Sequence, residues 1–167
     1  MKSFEFKSCG PVRKLTILFA SGFGLGLSPI ASGTVGTLLG VLIMIALPFR
    51  PLAAQLALAL VLPMLAVPIC GIAEKHFGKK DDGRIVADEY MTFPICLLGL
   101  PWQDHPWLLA AAFLTHRVFD ILKPFPAYRL QRLKGGMGIV VDDVASSIYA
   151  LAANWLIFWL VMQHCGL

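Results

Sequence analysis

The sequence predicts an all-α membrane protein, a helical bundle of about four to five apolar helices. Of its 167 residues, 57% are hydrophobic and only 14% are charged, and the mean hydropathy is +0.74. A soluble domain typically has about 25% charged residues. The apolar residues fall into separate runs divided by short polar or proline-containing connections. Composition and pattern therefore both favour the membrane class.

The chain divides into a basic N-terminal segment, residues 1–14, and a single integral-membrane helical domain, residues 15–167. A short helix is expected to reach Ala20. Residues 21–34 hold so many glycines and prolines that we expect a shaped loop rather than a helix interior.

Five apolar segments are expected to form the bundle: residues 35–49, 52–72, 88–100, 107–122 and 143–162. Pro48 should break the first of them, and Pro63 and Pro68 should kink the second. Several are shorter than the roughly 20 residues that a membrane crossing needs. A compact all-α bundle with hydrophobic central helices is therefore the alternative.

The distribution of charge supports five crossings that begin in the cytoplasm. In this topology, every lysine and arginine except Arg50 lies on the cytoplasmic side. Every acidic residue except Asp104 lies there as well. Positively charged cytoplasmic connections are typical of bacterial and eukaryotic membrane proteins. We therefore expect the polar groups to share one interfacial layer.

One polar face stands at the end of the fourth apolar segment. Arg117, Asp120 and Lys123 are three residues apart, so a helix places them on one face, and Pro124 should end that helix at Lys123. Two cations beside a carboxylate suit an anionic ligand. Arginine would hold a phosphate bidentately, and lysine would act as a point charge.

Carboxylates from three segments are expected at the same level: Asp88, Glu89, Asp120, Asp142 and Asp143. Crowded carboxylates raise one another's pKa unless a cation neutralises them. The four cysteines form no ligand pattern, so a hard cation with oxygen ligands is favoured, and Mg²⁺ is the expected metal. We expect these residues to be both the metal ligands and the catalytic groups.

Two glycine-containing stretches could approach a phosphate with their backbone. Thr34, Gly36 and Thr37 lie where a helix is expected to begin, and helix N-termini offer free N–H groups to anions. Thr34 could also cap that helix. Residues 134–138 contain three glycines, which allow a close backbone approach to a ligand.

Simpler roles exist for each of these residues. Asp142 or Asp143 could cap a helix and favour its dipole, and Asp88 with Glu89 could do the same. Arg117 and Asp120 could form an ordinary pair on one helix. Each simpler interpretation is plausible for one residue. Together they are less favoured, because they do not explain why all these residues are expected in one interfacial layer.

The sequence resembles the phosphatidylglycerophosphatase A family. Four motifs in the family's order carry the resemblance: residues 26–37, 85–89, 117–126 and 135–143. There are two departures from the family pattern. Ser32 stands where the family usually has proline, and Thr92 stands where it usually has glycine, which could alter packing or specificity.

The resemblance implies a Mg²⁺-dependent lipid phosphatase of the bacterial inner membrane, with its site on the cytoplasmic face. Its phospholipid substrate would be phosphatidylglycerophosphate and its products phosphatidylglycerol and inorganic phosphate. Attack by metal-activated water is one mechanism, and an aspartyl-phosphate on Asp88, Asp120 or Asp143 is another.

A second function class also fits the carboxylates. A non-enzymatic membrane protein, such as a small cation carrier, could use them as an ion site, although a carrier should place them near the bilayer midplane. Nucleic acid is not an expected partner, because the basic residues are dispersed among several connections. The sequence leaves the oligomeric state open.

Overall fold

The computed structural model describes residues 10–47 and 50–165. Within these ranges the chain is all-helical and contains no β-strand, which confirms the predicted α class. The α-helices are α1 Pro11–Ala20, α2 Ser32–Ala46, α3 Leu52–Phe77, α4 Ala87–Thr92, α5 Trp107–Leu122, α6 Ala127–Leu130 and α7 Gly136–Cys165. Most of the expected basic N-terminal segment and the break at Pro48 lie outside the described residues.

Two helices, α3 and α7, are long and apolar enough to cross a membrane. Their most apolar windows have mean hydropathies of 2.5 and 1.7, and only 28% and 22% of those windows are buried inside the protein. The core helix of a soluble protein would be mostly buried, so these exposed apolar surfaces indicate a membrane protein. α2 is apolar but shorter, and a bundle of four to five membrane helices is not confirmed.

The third apolar segment does not form the helix expected over residues 88–100. α4 has six residues and continues into a 3₁₀ turn, Phe93–Leu97, so the helical part is about 19 Å long at 1.5 Å per α-helical and 2.0 Å per 3₁₀ residue. All of its residues except Glu89 are buried. The segment therefore enters the bundle inside a shell of protein, where an irregular backbone is tolerated.

The last helix begins earlier than expected. α7 starts at Gly136 rather than near residue 143, so the glycines of residues 134–138 are not a flexible ligand loop. A β-carbon on Gly136 would lie 2.7 Å from the Gly71 nitrogen and would also collide with the Val67 backbone. This glycine lets α7 start directly against α3.

A second close approach brings α2 onto α4. Gly33, Gly36 and Gly40 lie on one face of α2, where added β-carbons would collide with Glu89, Val86 and Phe93. A larger residue at Gly33 or Gly36 would displace α2 from the first turn of α4, whereas one at Gly40 would collide with Phe93 in the 3₁₀ turn that follows. The absence of side chains therefore determines how near α2 comes to the acidic first turn of α4.

The helix ends separate the charged residues into two groups. Arg50, before α3, and Asp104, before α5, form an ion pair of 3.3 Å; these are the two charged residues expected on the far side of the membrane. The opposite end gathers the starts of α2, α4 and α7 and the ends of α3 and α5, which the contacts described below bring together.

Candidate active site

Lys123 ends α5 and turns its ammonium group toward α7. Its backbone is left-handed, with φ +42°, and Pro124 follows, so the helix stops as expected. The Lys123 Nζ donates a short hydrogen bond to Asp142. Burial opposes the charge on Lys123, but the hydrogen bond and charge of Asp142 outweigh it and raise the lysine pKa, so the cation persists.

Arg117 links three helices. Its Nη1 lies 2.9 Å from the Asp120 carboxylate on the same helix and 3.8 Å from the Glu89 carboxylate on α4. It also donates a hydrogen bond of 3.3 Å to the Thr37 hydroxyl on α2. The pair with Asp120 therefore exists, but it is one part of a larger polar cluster.

The first turn of α4 supplies Asp88 and Glu89. Val86 occupies the N-cap position, and no side chain caps the helix, so neither acid has the capping role that was the simpler alternative. Burial, followed by the charges of neighbouring carboxylates, raises the pKa of both residues, to about 8 for Glu89. A bound cation would oppose this shift.

Asp142 and Asp143 lie about two turns inside α7 and are each only 3% exposed. The alternative that they cap this helix is therefore wrong. Asp142 faces Lys123, and Asp143 lies within hydrogen-bonding reach of Asp120. Acidic residues of α4, α5 and α7 thus belong to one cluster.

Several polar atoms of this cluster are buried without a hydrogen-bond partner: Asp88 Oδ1, Glu89 Oε2, Asp142 Oδ1, Asp143 Oδ2 and Arg117 Nε. Buried polar groups are normally paired, so these oxygens and this N–H fit a cation and an anion respectively. No three acidic, histidine or cysteine side chains in residues 10–47 and 50–165 form a ready-made metal group. A Mg²⁺ ion held here would therefore need water or phosphate to complete its ligands.

The helix α2 begins three residues earlier than expected, which changes which of its backbone amides are free. α2 begins at Ser32, and Val35 already donates to the Ala31 carbonyl, so the amides of Gly36 and Thr37 lie inside the helix. Thr34 remains in the first turn, but it is not the cap. Thr37 contributes its hydroxyl to Arg117, and Gly36 contributes space for Glu89.

The two departures from the family pattern have different surroundings. Thr92 is fully buried, and its hydroxyl donates a 2.7 Å hydrogen bond to the Asp88 carbonyl. It therefore supports the acidic turn from behind rather than facing a ligand. Ser32 is the first residue of α2, where helical backbone geometry also suits a proline.

Two residues that sequence reasoning did not single out also belong to this region. Gln131 accepts a hydrogen bond of 3.4 Å from Lys123. Asp81 lies close enough for its charge to raise the pKa of Asp88 and Glu89. Both stand in connections between helices, where no periodicity indicates which way a side chain points.

Two cations and a set of buried carboxylates therefore converge at one end of an apolar helical bundle. This combination defines a membrane protein with buried acidic and basic side chains gathered at one end of its helices. The model of the family Phosphatidylglycerophosphatase A matches residues 18–158. The chain belongs to this family and is an enzyme, a phosphatase.

Curated relatives agree with this assignment. The chain is 35% identical to Phosphatidylglycerophosphatase A of Escherichia coli, over 84% of the chain and 81% of that protein. It is 36% identical to the protein of the same name in Haemophilus influenzae, over 90% and 97%. A Bacteroides thetaiotaomicron protein named "Putative phosphatidylinositol-3-phosphatase" is 37% identical, over 86% and 96%. No solved structure matches the chain.

Proposed function

We propose that this phosphatase removes the terminal phosphate of phosphatidylglycerophosphate, with Mg²⁺, at the cytoplasmic face of the bacterial inner membrane. The convergence of Arg117 and Lys123 with carboxylates that carry unpartnered buried oxygens is the observation that carries the proposal. The names of the Escherichia coli and Haemophilus influenzae relatives support the choice of substrate. Phosphatidylglycerol and inorganic phosphate are the products.

The cations bind the phosphate in this proposal. Arg117 is fixed by Asp120 and Thr37, so its orientation is set before the substrate arrives. Lys123 stays charged beside Asp142. Donors fixed in advance stabilise the charge that develops in a transition state without having to reorient.

In this proposal the carboxylates coordinate the cation, and one of them accepts a proton from water. Asp88, Glu89, Asp120, Asp142 and Asp143 are the candidate ligands, of which one or two would suffice together with phosphate and water. Bound Mg²⁺ would neutralise phosphate charge and acidify a water. Asp88 or Asp143, each of which has a buried oxygen without a hydrogen-bond partner, would accept the proton of the attacking water.

In the hydrolysis, the water oxygen bonds to phosphorus and the bond from phosphorus to the glycerol oxygen breaks. The glycerol oxygen leaves with a proton, and phosphate is released. Attack by Asp88, Asp120 or Asp143, with hydrolysis of the resulting acyl phosphate, gives the same products and is the second route.

An apolar groove supports a lipid substrate. It lies between α2 and α5, with a volume of about 460 Å³, and is lined by Leu38, Val41, Ile45, Pro106, Leu109, Ala110, Phe113 and Leu114. Leu38 follows Thr37 directly, and Leu114 is three residues before Arg117. The groove is therefore an apolar surface of α2 and α5 close to the polar cluster, as a protein that takes its substrate from a lipid layer needs.

Phosphate release by detergent-purified protein tests the proposal. Phosphatidylglycerophosphate, phosphatidylinositol 3-phosphate and phosphatidic acid are compared at equal surface concentration, with Mg²⁺ or with EDTA. We expect phosphatidylglycerophosphate to give the highest kcat/KM and EDTA to abolish release. A preference for the inositol lipid would instead support the activity that the Bacteroides relative's name states, and metal-independent release would contradict the role of the cation.

A further inference from the structure

A polar cavity adjoins the candidate active site. Its volume is about 340 Å³, and it is lined by Lys80, Asp81, Gln131, Arg132, Gly138 and Ile139. These residues come from the connection between α3 and α4, from the connection after α6 and from the first turn of α7. The cavity therefore lies at the end of the bundle that holds the carboxylates.

One hydrogen bond and one electrostatic interaction connect the cavity wall to the site. Gln131, in its wall, accepts a hydrogen bond from Lys123. Asp81, also in its wall, is close enough to Asp88 and Glu89 for the charges to interact. A ligand held by Lys123 could therefore extend into the cavity without leaving the polar layer.

The charge of the cavity wall suits a singly charged anion. Lys80 and Arg132 contribute two positive charges and Asp81 one negative charge, and neither cation has an ion pair with a carboxylate in the described part of the chain. Arg132 lies 5.7 Å from the Tyr128 ring. Both basic groups are thus available to an anion from outside the protein.

The loop that carries Lys80 is held in place. Asp82 and Arg84 form an ion pair of 2.8 Å, and this hydrogen bond lowers the pKa of Asp82. The Arg84 guanidinium also lies 3.9 Å from the centre of the Phe77 ring at the end of α3. Anchored at Asp82 and Arg84, the preceding residues form a wall of defined position.

We propose that this cavity binds the second, non-scissile phosphate of the lipid headgroup, the phosphodiester, through Lys80 and Arg132. The proposal rests on the proposed function, because phosphatidylglycerophosphate carries this diester one glycerol away from the scissile phosphate. The diester has a single negative charge, which matches the net positive charge of the wall. Lys80 and Arg132 are accordingly specificity residues, and phosphatidic acid, which lacks the diester, gains nothing from them.

Turnover of the two lipids tests this assignment. Lys80 and Arg132 are both exposed, so each contact is weakened by solvent, and Lys80→Ala combined with Arg132→Ala should raise KM for phosphatidylglycerophosphate roughly tenfold. The kcat for this lipid and the kcat/KM for phosphatidic acid should stay near wild type. Lys134→Ala, an exposed cation outside the cavity wall, is the matched control. Equal losses on both lipids, or no change on either, would overturn the proposal.

Product binding gives a readout that does not depend on turnover. Short-chain phosphatidylglycerol retains the diester and lacks the scissile phosphate, and its affinity is measured by thermophoresis in a zwitterionic detergent. We expect the double variant to weaken binding roughly tenfold or more and Lys134→Ala to leave it unchanged. Unchanged binding by the double variant overturns the cavity assignment. Cavity-dependent binding by a wild type that releases no phosphate supports the cavity and overturns the proposed function.

Discussion

The contact between α2 and α4 gives a sharp prediction about a single methyl group. A β-carbon at Gly36 would lie 2.5 Å from Glu89 Oε2 and 2.8 Å from the Val86 Cβ. The second distance is about 0.6 Å shorter than the closest ordinary contact between carbons. Gly36→Ala must therefore displace the Glu89 carboxylate or separate the two helices.

Gly40→Ala is the matched control, because the same substitution on the same helix face creates a similar collision away from the site. Its β-carbon would lie 2.7 Å from the Phe93 Cβ. Overpacking costs about 1–3 kcal/mol, and alanine regains about 1 kcal/mol of helix propensity. Each variant should thus lose about 1 kcal/mol of stability, a shift of roughly 2–4 °C in Tm.

The two variants should differ in activity. A displacement of about 1 Å in a reacting constellation can cost a hundred-fold in rate, so Gly36→Ala should lower kcat/KM roughly ten- to a hundred-fold, while Gly40→Ala stays near wild type. The assays are phosphate release from phosphatidylglycerophosphate and thermal melting in the same detergent. Full activity in a folded Gly36→Ala protein, or equal losses in both variants, would refute the reasoning.

Three further substitutions test individual contacts. Lys123→Met should lower the free energy of unfolding by about 2 kcal/mol, because it leaves Asp142 buried without its partner. Adding Asp142→Asn should restore the melting temperature but not the activity. A double variant whose melting temperature does not recover would contradict the pairing. Arg117→Lys keeps the charge but loses the planar fork, so kcat should fall roughly a hundred-fold or more; near-normal turnover would exclude a fixed phosphate clamp. Thr92→Val removes the hydrogen bond to the Asp88 carbonyl and should cost about 1 kcal/mol of stability with little effect on kcat/KM, whereas a large kinetic loss without destabilisation would place Thr92 against the substrate.

The helix ends that glycine and proline determine were predictable from the sequence. α1 ends at Ala20 before the glycine-rich loop, and α5 ends at Leu122 before Lys123 and Pro124. The shared face of Arg117 and Asp120 followed from their spacing and exists as an ion pair. These features depend on local backbone preferences, which a sequence states directly. Lys123, the third member of that predicted face, instead lies just beyond the helix in a left-handed conformation and pairs with Asp142.

The features that depend on packing were not predictable. Residues 88–100 are apolar, and an apolar segment is equally compatible with lipid and with a protein interior. The sequence therefore could not distinguish the short buried helix in this segment from a membrane-spanning helix. Gly136 opens α7 despite its low helix propensity, because the lack of a side chain lets it pack against α3. Packing also places Gly36 inside α2 and against Glu89, a contact that its position in the sequence does not indicate.

The central claim is that the buried carboxylates of α4 and α7 carry out phosphate hydrolysis. The most direct test is phosphate release from phosphatidylglycerophosphate by Asp88→Asn, a replacement of almost the same shape, with Mg²⁺ present, and Tm measured in parallel in EDTA. We predict a loss of at least about a hundred-fold in kcat. In EDTA, Tm should equal or exceed that of the wild type, because a buried unpartnered carboxylate is removed. Near-wild-type release by the folded variant would contradict the claim and place the chemistry elsewhere in the chain.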